Sequence, residues 1–297
     1  MASSPNDLER SLLQKAVRRG NVEVVEKVVG YLHSVGDFDW LRKRLAVIAY
    51  EECWTYADQL LYPTQPHKLL KEYRTLTTTI KNLNADALVS LAVKVSEGES
   101  SALVGSKKDQ KAIQSVANAI KKPDEFWAWI KSELDYKKNA KRIDAAVRDI
   151  DKADFEGEKT MMLAAAYLAL RYPIPETKFA TPDNDPDFPY WIALDKHTSL
   201  GKTIYSQACQ SINIYPTRGL KIGFYLEGAV VNQMTNSPFW DLVKEWKMNR
   251  IGYSIPEAEE IWNKLKPILI EMSKLDVDLM VDRINNYKKK SKQLGLF

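Results

Sequence analysis

Few residues in this chain have the types and spacing that chemistry needs, and three alternating carboxylates are the first to consider. Asp183, Asp185 and Asp187 alternate as the acidic ligands of a calcium-binding loop do. That loop also requires glycine at its sixth position, where Phe188 stands, and glutamate at its twelfth, where Leu194 stands. The segment is therefore predicted to be an acidic surface loop.

A second segment, Gly201-Lys202-Thr203, ends in the same way as a phosphate-binding loop. Such a loop needs another glycine five positions earlier so that the backbone can wrap the phosphates, and Lys196 stands there. We therefore predict the N-terminal turn of a helix. Asp195 and His197, which come just before it, are expected to share a local hydrogen bond.

The histidines and cysteines do not have the spacing that metal ligands show, and the cysteines are predicted to be buried structural thiols. They are His33, His67, His197, Cys53 and Cys209. No catalytic residue, cofactor or metal is therefore predicted. One alternative is kept, a metal-dependent enzyme that uses dispersed carboxylates such as Asp183, Asp185 and Asp195.

Basic clusters offer binding chemistry instead. Lysine and arginine side chains that share one face neutralise phosphates, so three clusters are candidate DNA contacts. Their residues are Arg18, Arg19, Arg42, Lys43, Arg44, Lys288, Lys289 and Lys290. The whole chain has 43 basic and 39 acidic residues. The resulting net charge of +4 excludes a histone-like polycation but permits a local basic patch.

The elements that must position these residues are predicted to be helices. Glycine is scarce, 12 of 297 residues, and apolar residues recur at helical spacing. The expected fold is all-α, a multi-helix bundle or collar in residues 1–171. A Pro-rich crossing follows at 172–190, a C-terminal helical region at 191–287, and a basic tail at 288–297. Asn6, Asn21, Asn84, Ser106 and Thr198 are predicted helix caps.

Two cysteines, no signal peptide and no apolar run of about 18 residues indicate a cytoplasmic protein without a membrane span.

The last five residues, Gln293-Leu294-Gly295-Leu296-Phe297, resemble the bacterial sliding-clamp-binding peptide of pattern Gln-Leu-x-Leu-Phe. Polymerases, clamp loaders and repair proteins use this peptide. The resemblance implies that Gln293, Leu294, Leu296 and Phe297 bind the clamp, which is the β subunit of DNA polymerase III. The alternative is that Leu296 and Phe297 pack onto the protein's own core.

A second resemblance covers residues 1–171. The segments 16–22, 36–52 and 161–171 are similar to the C-terminal helical region of the RarA/MgsA-type replication-associated recombination ATPases. The resemblance implies helical packing, homo-oligomers and association with replication machinery. It does not carry the ATPase activity over, because the chain has no AAA+ module, and Cys53-Trp54-Thr55 replaces a small, Gly-containing stretch of the family.

Together these patterns predict a non-enzymatic accessory protein of DNA replication, repair or recombination, near the nucleoid. Its C-terminal peptide would bind the sliding clamp, and its basic helices would contact DNA or replication proteins. The second alternative is an oligomeric helical scaffold with no DNA role.

Overall fold

The computed structural model describes residues 6–153 and 155–293, and within them the side chains of residue 156 and residues 288–293 are left undescribed. The described part consists of α-helices, short 3-10 turns, one π-helical turn and isolated bridges, so the all-α prediction is confirmed. The helices are α1 (Asp7–Arg19), α2 (Val22–Ser34), α3 (Phe38–Cys53), α4 (Pro66–Thr78), α5 (Asn84–Ser96), α6 (Lys107–Lys121), α7 (Pro123–Ser132), α8 (Tyr136–Asp149), α9 (Glu156–Arg171), α10 (Ser199–Ser211), α11 (Pro216–Gly223), α12 (Pro238–Arg250) and α13 (Ile255–Gln293).

Three of the predicted caps are confirmed by their hydrogen bonds. The Asn21 side chain accepts from the Val24 N–H at 2.9 Å, and Thr198 accepts from the Gly201 N–H at 3.0 Å. Ser106 forms a reciprocal capping box with Asp109 at the start of α6. The Thr198 cap also confirms that Gly201 lies in a helix N-terminal turn.

Two predicted caps are wrong because tertiary partners use the amide groups. Asn84 is the first residue of α5, and its Oδ1 accepts from the Phe239 N–H at 3.1 Å, which connects α5 to α12. Asn6 precedes α1, but its side-chain amide donates to Asp37 at 2.9 Å instead of capping. Propensity for a cap cannot distinguish these uses, since an asparagine amide can also donate to or accept from a group that is distant in the sequence.

One hydrophobic core contains residues from both sides of the predicted Pro-rich crossing. Helix α5 packs against α6, α9 and α12, and α3 lies between this group and the α1, α2 and α4 group. Residues 161–170 of α9 are all buried, as expected for an apolar run of this length. The division into 1–171, 172–190 and 191–287 stays a prediction.

The crossing itself has no α-helix, as its five prolines predict. It is tied to the first helices by backbone hydrogen bonds. Ala180 N–H donates to the Thr78 carbonyl at 2.8 Å, and Asp183 N–H donates to the Gly20 carbonyl at 3.1 Å. Gly20 has a φ of +76°, which ends α1 in the left-handed conformation.

Helix α13 is 39 residues long and continues through the predicted boundary between 287 and 288. Its second half packs on α2 through Met280, Ile284 and Tyr287, which are buried. Gly30 of α2 provides the space for this contact, because a Cβ built there would lie 2.0 Å from the Tyr287 hydroxyl. The end of α13 therefore depends on a glycine in α2.

Replacing Gly30 with alanine is expected to displace Tyr287 and to destabilise the protein by about 1–3 kcal/mol, because the core is overpacked there. Gly157→Ala is the control, since a Cβ at this helical glycine meets nothing within 4 Å. The control is expected to stabilise by about 0.5–1 kcal/mol through helix propensity. Urea unfolding measures both free energies, and equal effects of the two variants would contradict the Tyr287 contact.

Candidate functional site

Arg18, predicted to contact DNA, instead lies in the interior and is only 7% exposed. Its Nε and Nη2 both donate to Glu52 Oε1 at 2.7 Å, and its Nη1 donates to the Gly228 carbonyl at 3.4 Å. Glu52 is fully buried, and its Oε2 has no hydrogen-bond partner. Burial raises the pKa of Glu52, and the Arg18 guanidinium counteracts that rise. A phosphate cannot reach Arg18 in this arrangement.

Arg19 and Arg44 also form ion pairs. Arg19 binds the carboxylate of Glu227 at 3.2 Å and the carbonyl of the same residue at 2.8 Å. Arg44 pairs with Glu158, and it also donates to Glu51 at 3.3 Å and to Gln14 at 3.1 Å. The prediction that these side chains face DNA is therefore corrected: their charge is matched inside the protein.

The other predicted DNA contacts have two outcomes. Arg42 is 37% exposed in its side chain and lies 3.7 Å from Asp39, and Lys43 is exposed, so their role in binding DNA stays a prediction. The side chains of Lys288, Lys289 and Lys290 lie outside the described part. The same holds for the side chain of Gln293 and for Leu294, Leu296 and Phe297 altogether.

The three carboxylates of the enzyme alternative have separate partners. Asp183 accepts from the Asn232 amide at 2.5 Å, and Asp185 accepts from the Asp187 N–H at 2.9 Å. Asp195 is buried and pairs with Lys15 at 2.6 Å. Among residues 6–153 and 155–293, no group of three histidine, cysteine or acidic residues is arranged to hold a metal.

The predicted hydrogen bond between Asp195 and His197 is present, and the donor is the backbone N–H of His197, 2.8 Å from Asp195 Oδ1. Burial opposes ionisation of Asp195, but Lys15, His197 and these hydrogen bonds outweigh it and lower the pKa of Asp195. The pair of Lys15 and Asp195 thus joins α1 to the turn before α10. Cys53 and Cys209 are buried free thiols, as predicted.

Asp86 is a partly buried acid of α5 close to this charged interior. Burial, and then repulsion from Glu51, raises the pKa of Asp86 to about 7, with Arg18 opposing the rise. Such a carboxyl exchanges protons near neutral pH. The structure places no nucleophile in hydrogen-bond contact with Asp86 among the described residues, and the charged groups that act on it include Glu51, Arg18 and Glu52.

A surface that the sequence patterns did not indicate is formed by Lys94, Lys196, Lys221, Lys247 and Arg250. These residues are spread over α5, the turn before α10, α11 and α12, and they meet because α12 packs on both α5 and α11. None of them belongs to a run of basic residues. The sequence gives only a weak indication of this surface, since four of the five residues occupy the last turn of a helix, where basic residues are common.

Comparisons with protein-family models, curated proteins and solved structures find no match to this chain. The similarity to RarA/MgsA-type C-terminal regions therefore stays a prediction from the residues quoted above. No helix in the described ranges is both long and apolar enough to cross a membrane.

Replacing Arg18 with methionine is expected to cost about 3–5 kcal/mol, because Glu52 is left buried and uncompensated. Adding Glu52→Leu is expected to restore most of that loss, since an apolar pair of similar volume needs no counter-charge. The control is Lys122→Met, in an exposed pair with Glu125, which is expected to change stability by less than about 1 kcal/mol. Failure of the double variant to recover stability in urea unfolding would contradict this account.

Asp86→Asn is expected to change how stability depends on pH. The folded protein keeps a proton on Asp86 up to a pKa of about 7, above the ordinary value of 3.8, so wild-type stability falls as pH rises through that window. The variant lacks this loss and should gain about 1–2 kcal/mol relative to wild type between about pH 5 and 8. Denaturant unfolding of both proteins at about pH 5 and about pH 8 measures this difference in stability.

The matched control is Asp278→Asn on the exposed surface of α13. The same difference in both variants, or none in Asp86→Asn, would show that Asp86 is not the titrating group.

Proposed function

We propose that this protein is a non-enzymatic accessory protein of DNA replication or repair that binds the bacterial sliding clamp. The observation that carries the proposal is the match of Gln293, Leu294, Leu296 and Phe297 to the clamp-binding pattern. The glutamine amide can donate and accept hydrogen bonds at a pocket rim, and the leucine and phenylalanine side chains can fill apolar subsites. A few such anchors supply most of the affinity of a short peptide.

The position of α13 supports this proposal. Its docked face carries the buried residues Met280, Ile284 and Tyr287. The helix itself continues to Gln293, the first residue of the motif, so the motif begins where the described part of α13 ends.

Clamp binding would place the protein in the cytoplasm at the nucleoid, and it gives a weak DNA contact a high effective concentration. A contact that is weak on its own becomes useful when a second contact is already made. Tethering thus agrees with a body whose arginines Arg18, Arg19 and Arg44 are largely used for its own ion pairs.

A second candidate function, an oligomeric scaffold, is favoured by one observation on α13. Its solvent-facing side carries exposed apolar residues at helical spacing: Met272 is 40% exposed, Leu275 72% and Leu279 50%. Contiguous exposed apolar surface is typical of protein contacts. Self-association through this stripe is compatible with clamp binding through residues 293–297.

The double variant Leu296→Ala/Phe297→Ala is expected to lose clamp binding by at least about 30-fold, because removing an apolar anchor costs roughly 2 kcal/mol or more. Biolayer interferometry on immobilised bacterial sliding clamp measures the affinity. Gly295→Ala is the matched control, since the pattern tolerates a small residue at that position, and it is expected to bind as wild type does.

Thermal melting of the same proteins separates clamp binding from internal packing. The double variant is expected to have the same melting temperature as the wild-type protein. Unchanged clamp affinity, or a clear fall in its melting temperature, would contradict the proposal.

A further inference from the structure

Five basic side chains from separate parts of the chain form one surface, here called the helix-end basic surface. Lys94 lies in the last turn of α5, Lys221 in that of α11, and Lys247 and Arg250 in that of α12. Lys196 joins them from the turn before α10, where its ammonium group lies 5.2 Å from the centre of the Phe224 ring. Residues far apart in sequence thus present charge of one sign together.

The acidic residues close to this surface do not balance it. Glu97 pairs with Lys94, and Glu99 pairs with Arg250. Lys196, Lys221 and Lys247 have no ion pair within the described part of the chain, although Lys221 and Lys247 are partly buried. Asp86 lies near Lys196, and burial raises the pKa of Asp86 to about 7.

The cations of this surface act on one another electrostatically. Burial, and then repulsion from Lys221, Lys196 and Lys94, lowers the pKa of Lys247 to about 8. Burial, followed by Arg250 and Lys94, likewise lowers the pKa of Lys221. Unmatched like charges cost free energy in the unbound protein, and a bound anion would relieve that cost.

Helix dipoles explain part of this arrangement but not all of it. A cation in the last turn of a helix offsets the partial negative charge of the unpaired carbonyls, and the effect falls off within that turn. Lys94, Lys221 and Lys247 can each be explained alone in this way. The meeting of three such helix ends with Lys196, and with too few acids, needs another explanation.

We propose that the helix-end basic surface binds the phosphate backbone of a nucleic acid. Lysine serves as a point charge for phosphates, and an extended surface of such charges fits a regular polyanion. A protein partner fits less well, because lysine is depleted in the centres of protein interfaces and aromatic residues are enriched. In α5, α11 and α12, no large apolar side chain is strongly exposed.

This surface is distinct from the segments that sequence patterns indicated, and it does not depend on clamp binding. Arg18, Arg19 and Arg44 face inward, whereas the ammonium groups of Lys221, Lys247 and Lys196 form no ion pair with any carboxylate that the structure describes. The contact to lysine also requires no base-specific geometry, so binding is expected to be independent of sequence.

The test uses the full chain and a fluorescent 20-nucleotide DNA, single-stranded and duplex, in fluorescence polarisation at several salt concentrations. Lys221→Gln/Lys247→Gln is expected to weaken binding at least about tenfold at ~50 mM salt and to reduce the slope of log K against log salt by about 1–2. Lys221→Arg/Lys247→Arg keeps the charge and is expected to bind within about threefold of wild type.

The matched control is Lys121→Gln/Lys131→Gln, which removes the same charge from the last turns of α6 and α7. It is expected to bind as wild type does. Equal weakening in control and test variants, or wild-type binding without salt dependence, would overturn the proposal. If polyglutamate competes as effectively as unlabelled DNA, the nucleic-acid proposal is overturned and an acidic protein is the better partner. Clamp affinity, measured separately, is expected to be unchanged by Lys221→Gln/Lys247→Gln.

Discussion

The burial of charged side chains of α1 against acids from elsewhere in the chain is the constraint on which much of this structure depends. Arg18 lies against Glu52 of α3, and Lys15 lies against Asp195 in the turn before α10. An unpaired buried charge is costly, so each of these side chains must find its partner for the fold to close. The Arg18–Glu52 pair joins α1 to α3, and the Lys15–Asp195 pair joins α1 to an element on the far side of the Pro-rich crossing.

The same constraint decides which cations remain for binding. Because α1 and α3 use Arg18, Arg19 and Arg44 in internal ion pairs, these prominent arginines of the sequence are not free charges of the folded protein. Lys221 and Lys247, in the last turns of α11 and α12, are charges without an ion pair among the described residues. Lys196 belongs to the helix-end basic surface and also lies near the buried ion pair of Lys15 and Asp195. Its pKa depends on Lys15, Asp195 and Asp86 as well as on Lys221.

The elements were largely predictable because their signals are local. Apolar spacing, prolines at the first helical turn, and side chains such as Asn21, Ser106 and Thr198 act within a few residues of where they stand. Asn84 marks the limit of that reasoning. Its amide looks like a cap, but a backbone N–H of α12 uses it, and only the packed fold brings Phe239 to that oxygen.

The sequence by itself determined that the protein is helical, where its chain is extended, and which five residues have the clamp-binding pattern, because each depends on neighbours along the chain. Tertiary structure alone decided the role of each charge. Whether an arginine is buried or a lysine is unmatched depends on residues far away, such as Glu52 for Arg18 or Lys221 for Lys247. Electrostatic energy depends on distance in space and on burial, and neither can be read from distance along the chain.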